Sequence, residues 1–291
     1  MKALLAQLDP KVGDKDGNLR KMEKALAGKK VDLALFGELY LSGYMARDAF
    51  HSLAETAEGP SAKRVSRLAK KSGAHILFGM PERHHHRLYN SAVLVTPGGD
   101  TQVYRKIHLA NFGPFEEKQY FAPGTDPVMV GTDFGKIGLL ICYDAFFPEL
   151  AKHYAMAGAD VLAVISASPA TSKPMFDKIL PARAVENATF VLYANLVGTE
   201  LNIVFQGGTQ AIGPRGEELG RARDFEEGMV EVALDNAILP TARRARPTAR
   251  DTRPELWARG PPGKIEAKRG EPTNRSPLSR RRRSLHGPEG D

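Results

Sequence analysis

Residues 137–149 read IGLLICYDAFFPE, an apolar run that ends on the chain's one cysteine, Cys142, and continues into aromatic and acidic residues. An uninterrupted apolar run of this kind predicts a strand that is buried on both faces. A helix is predicted directly after it, over 148–157. We therefore expect Cys142 to lie at a strand-to-helix turn, where backbone N–H groups can face a site and bind a negatively charged oxygen.

The pattern of short apolar runs and amphipathic stretches continues on both sides of this segment, from residue 1 to residue 240. Strands are predicted at 2–8, 31–37, 74–80, 90–96, 101–105, 137–142, 160–166, 190–196, 208–212 and 228–234. Helices are predicted at 17–27 with Asp16 as the cap, and at 61–72, 148–157 and 174–188. Turn sequences at Gly98–Gly99 and Pro214–Gly216 separate neighbouring strands. This order of elements predicts a layered α/β sandwich.

The charge of the chain is concentrated at one end. Of 41 Lys and Arg residues, 14 lie in 241–291 against 6 Asp and Glu, whereas residues 1–240 carry 27 basic and 28 acidic residues. The 241–291 segment also holds 7 of the 20 prolines and the arginine run Arg280–Arg283. We expect 1–240 to be the folded domain and 241–291 a disordered basic tail. A nearly neutral domain argues against a nucleic-acid-binding function.

Several classes of protein are disfavoured by the remaining composition. A single cysteine cannot form an internal disulfide, and the start MKALLAQLDP lacks the apolar run of a signal peptide. We therefore expect a cytoplasmic protein with no membrane segment. The histidines His84–His86 are adjacent and point apart on a strand or loop, so we expect no metal site there.

Four residues are candidates for covalent chemistry. Taken alone, each has an ordinary structural explanation. Cys142 is more typical of a small buried apolar residue, and Glu38 could cap a turn. Lys106 could reach the surface, and Glu117 could belong to a surface loop. Taken together they form a coherent set. A thiol needs a base to become a nucleophile, a desolvated carboxylate can be that base, and an ammonium group can stabilise the resulting oxyanion.

These residues lie in motifs that resemble the nitrilase superfamily of carbon–nitrogen hydrolases. The matching stretches are LFGEL around Glu38, YRKIHL around Lys106 and LLICYDAFFPE around Cys142. The resemblance implies a four-layer αββα sandwich, a Glu38–Lys106–Cys142 triad assisted by Glu117, and no cofactor. It also implies a small-molecule amide substrate and a homodimer or higher homo-oligomer.

Within that superfamily the sequence is most similar to the glutaminase domain of glutamine-dependent NAD synthetases. The similar stretches are AQLDPKVGDKDGN at 6–18, LYLSGYMARDAF at 39–50, HLANFGPFEEKQYFAPG at 108–124 and YANLVGTELNIVFQGGTQAIGPRGE at 193–217. The resemblance implies a substrate pocket formed by Tyr44, Phe115, Tyr143, Phe146, Ser166 and Ser168. The backbone N–H of Tyr143 would contribute to the oxyanion hole.

The sequence also departs from that domain. Nothing in it corresponds to the ATP-using synthetase domain. Gly37 replaces the usual proline before the glutamate, and we expect it to loosen the local backbone. Tyr143, directly after the cysteine, replaces an acidic residue. The first interpretation is a glutaminase-like hydrolase of a small amide. The alternatives are an aliphatic amidase or N-carbamoyl amine hydrolase, a glutaminase subunit that feeds ammonia to a separate NAD synthetase, and a non-catalytic interaction protein.

Overall fold

The computed structural model describes residues 1–258, which form fourteen strands and eight α-helices. The strands are β1 Lys2–Gln7, β2 Leu33–Leu35, β3 His75–His84, β4 Arg87–Val95, β5 Thr101–Arg105, β6 Met129–Thr132, β7 Gly135–Ile141, β8 Val161–Ser166, β9 Phe190–Asn195, β10 Val197–Glu200, β11 Ile203–Gln206, β12 Gln210–Ile212, β13 Glu218–Arg221 and β14 Gly228–Ala233. The helices are α1 Lys15–Leu26, α2 Phe50–Leu53, α3 Pro60–Ser72, α4 Glu117–Tyr120, α5 Pro148–Met156, α6 Lys173–Asn187, α7 Leu239–Ala245 and α8 Glu255–Ala258.

Two six-stranded sheets form the centre of the protein. Their strand orders are β14-β1-β2-β3-β4-β5 and β13-β12-β9-β8-β7-β6. In each sheet three neighbouring strands are parallel, β1-β2-β3 in the first and β7-β8-β9 in the second. The carboxyl ends of parallel strands lie at one edge of a sheet, and open α/β sheets bind their ligands there.

Side chains that alternate along β1 show how the layers pack. Ala3 and Leu5 belong to an apolar cluster with β7, β8 and β9 of the second sheet, whereas Leu4 and Ala6 belong to a cluster with α1 and α3. The cluster between the sheets also includes residues of α5 and α6. The order of layers is therefore helices, sheet, sheet, helices, and the expected αββα sandwich is confirmed.

The predicted elements are present, with differences at their ends. Four short strands and the four helices α2, α4, α7 and α8 are not indicated by the sequence pattern. The four strands are β6, β10, β11 and β13, each of four residues. The first helix begins at Lys15, and its cap is Asp14, which accepts a hydrogen bond from the Gly17 N–H at 2.8 Å. Asp16, the expected cap, lies in the first turn.

The compact unit extends from Met1 to Thr252, beyond the domain end expected at residue 240. Helix α7 crosses that position, with Leu239 and Ala242 buried. Arg243 donates a hydrogen bond to the carbonyl oxygen of Ala159 at 2.7 Å. Helix α7 is therefore held on the folded domain by an apolar face and one arginine. A count of charged residues after residue 240 does not reveal this packing. The Arg280–Arg283 run and the rest of the expected tail after residue 258 lie outside the described residues.

Candidate active site

Cys142 follows the last residue of β7 and is the first residue of a short 3-10 helix, Cys142–Phe146. Its φ of +46° is in the left-handed region, which is costly for a residue with a Cβ atom. Strained backbone of this kind is concentrated at functional sites. The side chain is 8% exposed. The expected strand-to-helix turn is therefore present, and the thiol lies in a nearly closed environment.

Three charged side chains form a buried cluster in this region of the fold. The Nζ atom of Lys106 lies 2.6 Å from Oε1 of Glu38 and 2.7 Å from Oε1 of Glu117. The side chains of Lys106 and Glu38 are inaccessible to solvent, and that of Glu117 is 3% exposed. Buried charges of this kind are tolerated only when they are paired and hydrogen-bonded. Glu38, Lys106 and Glu117, expected to act together, are thus in direct contact.

Both oxygens of the Glu38 carboxylate are held by further donors. Asn90 Nδ2 donates to Oε1 at 2.7 Å, and the Ala167 N–H donates to Oε2 at 2.8 Å. Asn90 is on β4, and Ala167 follows β8 of the other sheet. The carboxylate is therefore fixed from both sheets.

Two glycines allow the backbone around Glu38 to pack closely. A Cβ atom on Gly79 would lie 2.2 Å from the Leu39 nitrogen and 2.6 Å from the Gly37 carbonyl oxygen. A Cβ atom on Gly37 would lie 2.4 Å from Cδ2 of Leu196. Gly37, expected to loosen the backbone, is instead a buried position of close packing.

The alternation of side chains at the end of β5 places Lys106 inside the protein. Tyr104 and Lys106 are buried, whereas the intervening Arg105 points the other way and pairs with Glu82 at 2.7 Å. Adjacent residues of an extended chain face opposite sides. Of the two neighbouring basic residues in YRKIHL, Lys106 is therefore the one on the apolar face.

The electrostatic environment opposes a free thiolate and favours a charged lysine. Burial raises the pKa of the Cys142 thiol, the charge of Glu38 raises it further, and the charge of Lys106 lowers it. Burial alone would lower the pKa of Lys106, but Glu117 and Glu38 outweigh this and raise it above its ordinary value. Burial raises the pKa of Glu117, and Glu38 adds to this while Lys106 opposes it. The thiol therefore needs a base at the moment of attack.

Two of the expected pocket residues lie on the Glu117 side. The Tyr44 hydroxyl donates to Oε1 of Glu117 at 2.7 Å. The Tyr44 ring lies 6.0 Å from the ring of Phe115 and 6.0 Å from the ring of Phe205. Tyr44 and Phe115 are nearly buried. Phe205, in the hairpin of β10 and β11, is an additional aromatic neighbour that the sequence pattern did not indicate.

The other expected pocket residues lie on the Cys142 side. The half-buried rings of Tyr143 and Phe146 are 5.6 Å apart. Ser166 is beside Cys142 and lowers the pKa of its thiol. The Tyr193 hydroxyl donates to Oγ of Ser166 at 3.2 Å. The backbone N–H of Ser168 donates to Oδ1 of Asn195 at 2.8 Å. Tyr44 and Phe115 are therefore beside Glu117, and Tyr143, Phe146 and Ser166 are beside Cys142, whereas Ser168 is hydrogen-bonded to Asn195.

Several residues that support the site were not indicated by the sequence pattern. Asn90 begins the predicted strand 90–96, where a polar residue in an apolar run indicates a buried hydrogen bond. Arg183 of α6 donates to the carbonyl oxygens of Ala145 at 2.8 Å and Phe146 at 3.2 Å, at the end of the short helix that begins with Cys142. Asp144, two residues after the cysteine, makes four side-chain hydrogen bonds with Tyr104, His108 and Ile141.

Within residues 1–258, no group of three or more His, Cys, Asp or Glu side chains is arranged to hold a metal ion. None of the helices described is long and apolar enough to cross a membrane.

Comparison with known proteins shows the family of this chain. The family model for carbon-nitrogen hydrolases matches residues 2–244. A probable nitrilase of Schizosaccharomyces pombe is 36% identical, over 89% of this chain and 98% of its own length. The glutamine-dependent NAD(+) synthetase of Aquifex aeolicus is 33% identical over 83% of this chain, which spans 43% of that protein.

A solved structure agrees with these sequence matches. It is a variant of an amidase from Nesterenkonia sp. that shows the acetamide moiety of fluoroacetamide covalently added at the active-site cysteine. It has a TM-score of 0.77 and 30% identity, and the match covers 90% of this chain and 97% of that one. The match of the family model, the similarity of the relatives and the shared fold show that this chain is an enzyme of the carbon–nitrogen hydrolase family, the nitrilase superfamily.

Proposed function

We propose that the protein hydrolyses a small linear amide through a thioester on Cys142, with Glu38 as base and acid, Lys106 as oxyanion stabiliser and Glu117 as an assisting residue. The observation that carries the proposal is the buried contact of Lys106 with Glu38 and Glu117, in the same environment as a cysteine in a strained turn. A structural protein gains little from such a cluster, because buried ion pairs rarely add net stability.

Glu38 has the hydrogen-bonding capacity that a base needs. Within residues 1–258, Oε1 accepts from Asn90 and Lys106, whereas Oε2 accepts from the Ala167 N–H alone. Each carboxylate oxygen can accept two hydrogen bonds, so Oε2 retains a site for a proton. The fixed orientation means that this site is preorganised.

Lys106 has one donor to spare. An ammonium group has three N–H donors, and those to Glu38 and Glu117 use two of them. The third can be donated to the oxyanion, together with the backbone N–H of Tyr143. Because Lys106 remains charged at neutral pH, it stabilises negative charge as soon as it forms.

The proposed reaction has two halves. Glu38 takes the thiol proton as the sulfur attacks the amide carbon, and the resulting tetrahedral oxyanion is held by Lys106 and Tyr143. The C–N bond then breaks, the proton on Glu38 goes to the leaving amine, and a thioester remains. Glu38 next takes a proton from water as the water attacks the thioester. The C–S bond breaks, the proton returns to the sulfur, and a carboxylic acid is released.

For the substrate, we propose a neutral amide with an apolar acyl group. Tyr44, Phe115, Tyr143 and Phe146 present aromatic rings, and the charged atoms of the cluster are already paired with each other. Tyr143 also replaces the acidic residue expected in glutaminases, which could bind the α-ammonium group of glutamine. The relatives include an (R)-stereoselective amidase of Pseudomonas sp.. Glutamine hydrolysis, with ammonia passed to a separate synthetase subunit, and N-carbamoyl amine hydrolysis are the alternatives.

The test is ammonia release from a panel of glutamine, short aliphatic amides, aromatic amides and N-carbamoyl amines. We expect neutral amides to be turned over with higher kcat/KM than glutamine, and Cys142→Ala to lose all activities. Residual turnover by Cys142→Ala above about a thousandth of wild type would contradict the nucleophile assignment, because loss of a nucleophile normally costs far more. Higher kcat/KM for glutamine would support the glutaminase alternative.

We also propose that the protein forms a homodimer or higher homo-oligomer through α5 and α6, the helices beside the Cys142 turn. Met156 on α5 and Met175 on α6 are each more than 40% exposed. Light scattering should give at least twice the monomer mass, and replacing both methionines by glutamate should lower it. A monomer that is fully active would contradict this proposal.

A further inference from the structure

Asp144 is a buried carboxylate with an unusually complete set of partners. It is inaccessible to solvent and lies in the short 3-10 helix Cys142–Phe146. Its Oδ2 atom accepts from the Tyr104 hydroxyl at 2.8 Å and from the Ile141 N–H at 3.2 Å. Its Oδ1 atom accepts from the backbone N–H of His108 at 2.9 Å and lies 2.9 Å from His108 Nδ1. A carboxylate can only accept, so this ring nitrogen carries the proton.

The partners of Asp144 belong to two different parts of the proposed catalytic machinery. Ile141 is the residue before Cys142, at the end of β7 in the second sheet. Tyr104 and His108 are the residues two positions before and two positions after Lys106, which follows β5 in the first sheet. One side chain therefore connects the cysteine turn to both flanks of the lysine.

We propose that Asp144 is a positioning residue that holds the Cys142 turn against the Lys106 segment and so sets the relative position of thiol and ammonium. This inference rests on the proposed roles of Cys142 and Lys106. Within residues 1–258, the side chain of Asp144 makes no hydrogen bond to the thiol or to the ammonium group. It therefore acts through Ile141, Tyr104 and His108.

A fixed distance between the two groups matters for two reasons. The positive charge of Lys106 lowers the pKa of the thiol, and this effect weakens as the two groups separate. An oxyanion on the attacked carbon must also lie within about 3 Å of its donors. The left-handed conformation of Cys142 needs support from its surroundings, and the Asp144 bond to the Ile141 N–H supplies part of it.

Asparagine at position 144 would disrupt this arrangement without changing its volume. Either orientation of the amide replaces one accepting oxygen by an NH₂ group, which then faces two donors. Tyr104→Phe is a milder variant that removes one of the four hydrogen bonds and retains the ring. Asp160→Asn is the matched control. The Asp160 side chain also accepts one hydrogen bond from a backbone N–H, that of Lys136 at 2.9 Å, and one from a side chain, that of Arg243 at 2.9 Å. Among the described residues, it makes no hydrogen bond to Cys142, Lys106 or Glu38.

The chain's single cysteine allows a readout that does not depend on the substrate. The rate of alkylation by iodoacetamide, measured from pH 6 to 10, reports the reactivity of Cys142 alone. We expect Asp144→Asn to lower the rate at pH 7 by about tenfold and to keep it below that of wild type across this pH range. With the best amide of the panel, we expect kcat to fall by about 30- to 100-fold with KM within about threefold of wild type.

The control variants decide what the result means. Asp160→Asn should leave kcat and the alkylation profile unchanged, whatever its melting temperature, and Tyr104→Phe should change both in the same direction as Asp144→Asn but less. The inference is overturned if folded Asp144→Asn matches wild type in both readouts, or if Asp160→Asn lowers kcat as much. If Asp144→Asn does not fold, Tyr104→Phe decides alone, and unchanged kcat and alkylation overturn the inference. Turnover retained by Cys142→Ala would instead refute the proposed function, and the alkylation comparison would still stand.

Discussion

The Nζ atom of Lys106 lies 2.6 Å from Oε1 of Glu38, and neither side chain is accessible to solvent. Lys106 directly follows β5, and Glu38 lies three residues after β2 of the same sheet. Their contact is an ion pair whose components cannot be hydrated separately. The stability and the chemistry of the protein therefore depend on the same atoms.

Removal of the lysine should destabilise the fold as well as the activity. In Lys106→Met, the carboxylates of Glu38 and Glu117 lose their common counter-charge, and we expect the free energy of unfolding at pH 7 to fall by about 3–5 kcal/mol. Urea denaturation measures this loss. Lys173→Met is the control, since the part-exposed pair of Lys173 with Asp177 should contribute less than about 1 kcal/mol. Equal losses in the two variants would contradict the account.

The two glutamates should differ in their effect on turnover. Glu38→Gln removes the proposed base, so we expect kcat to fall by at least about 10³-fold. Glu117→Gln removes a charge that holds Lys106 but no proton-transfer group, so we expect a loss of about 10- to 100-fold. Steady-state kinetics measure kcat for both variants and for wild type. A larger loss in Glu117→Gln than in Glu38→Gln would reverse the proposed roles.

Gly79 should be essential although it carries no chemistry. In Gly79→Ala, the new methyl group would collide with backbone atoms of residues 37–39, which cannot move without shifting Glu38. We expect a loss of about 1–3 kcal/mol in unfolding free energy, and a fall in kcat larger than the stability loss explains. The control is Gly131→Ala, where an added Cβ atom meets nothing within 4 Å. Wild-type kcat in Gly79→Ala would show that Glu38 is not held by this packing.

Glu200 should make stability depend on pH. Burial raises the pKa of its carboxyl to about 7, although the Met45 and Tyr44 N–H groups oppose this. Because the folded-state pKa is above the unfolded value, near 4.5, the contribution of this group is complete below pH 4.5 and is lost as pH rises through 7.

The matched variant for this effect is Glu200→Gln. Relative to this variant, wild type should lose on the order of 2–3 kcal/mol of unfolding free energy between pH 4.5 and pH 7.5. Denaturation curves at four pH values test this. Parallel pH profiles for the two proteins would show that the Glu200 carboxyl does not titrate in this range.

The sequence was informative where the structure repeats a simple period. The buried strands around IGLLIC and the inward position of Lys106 follow from the alternation of side chains. Long-range contacts do not follow from this alternation. The hydrogen bond of Asn90 to Glu38 joins residues 52 positions apart. Those of Asp144 with Tyr104 and His108 join residues 40 and 36 positions apart and connect the two sheets. The requirement for Gly79 depends on how closely two backbone segments approach, and no local pattern encodes that distance.

Cys142 should carry the acyl group of the substrate during turnover, and intact-protein mass spectrometry can detect it there. The reaction with the best amide of the panel is quenched with acid during steady-state turnover, and the modified peptide is then identified. We predict a mass increase equal to that of the acyl group, located on Cys142 and absent from Cys142→Ala. Full turnover in Cys142→Ala, or an acyl group attached to another residue, would contradict it.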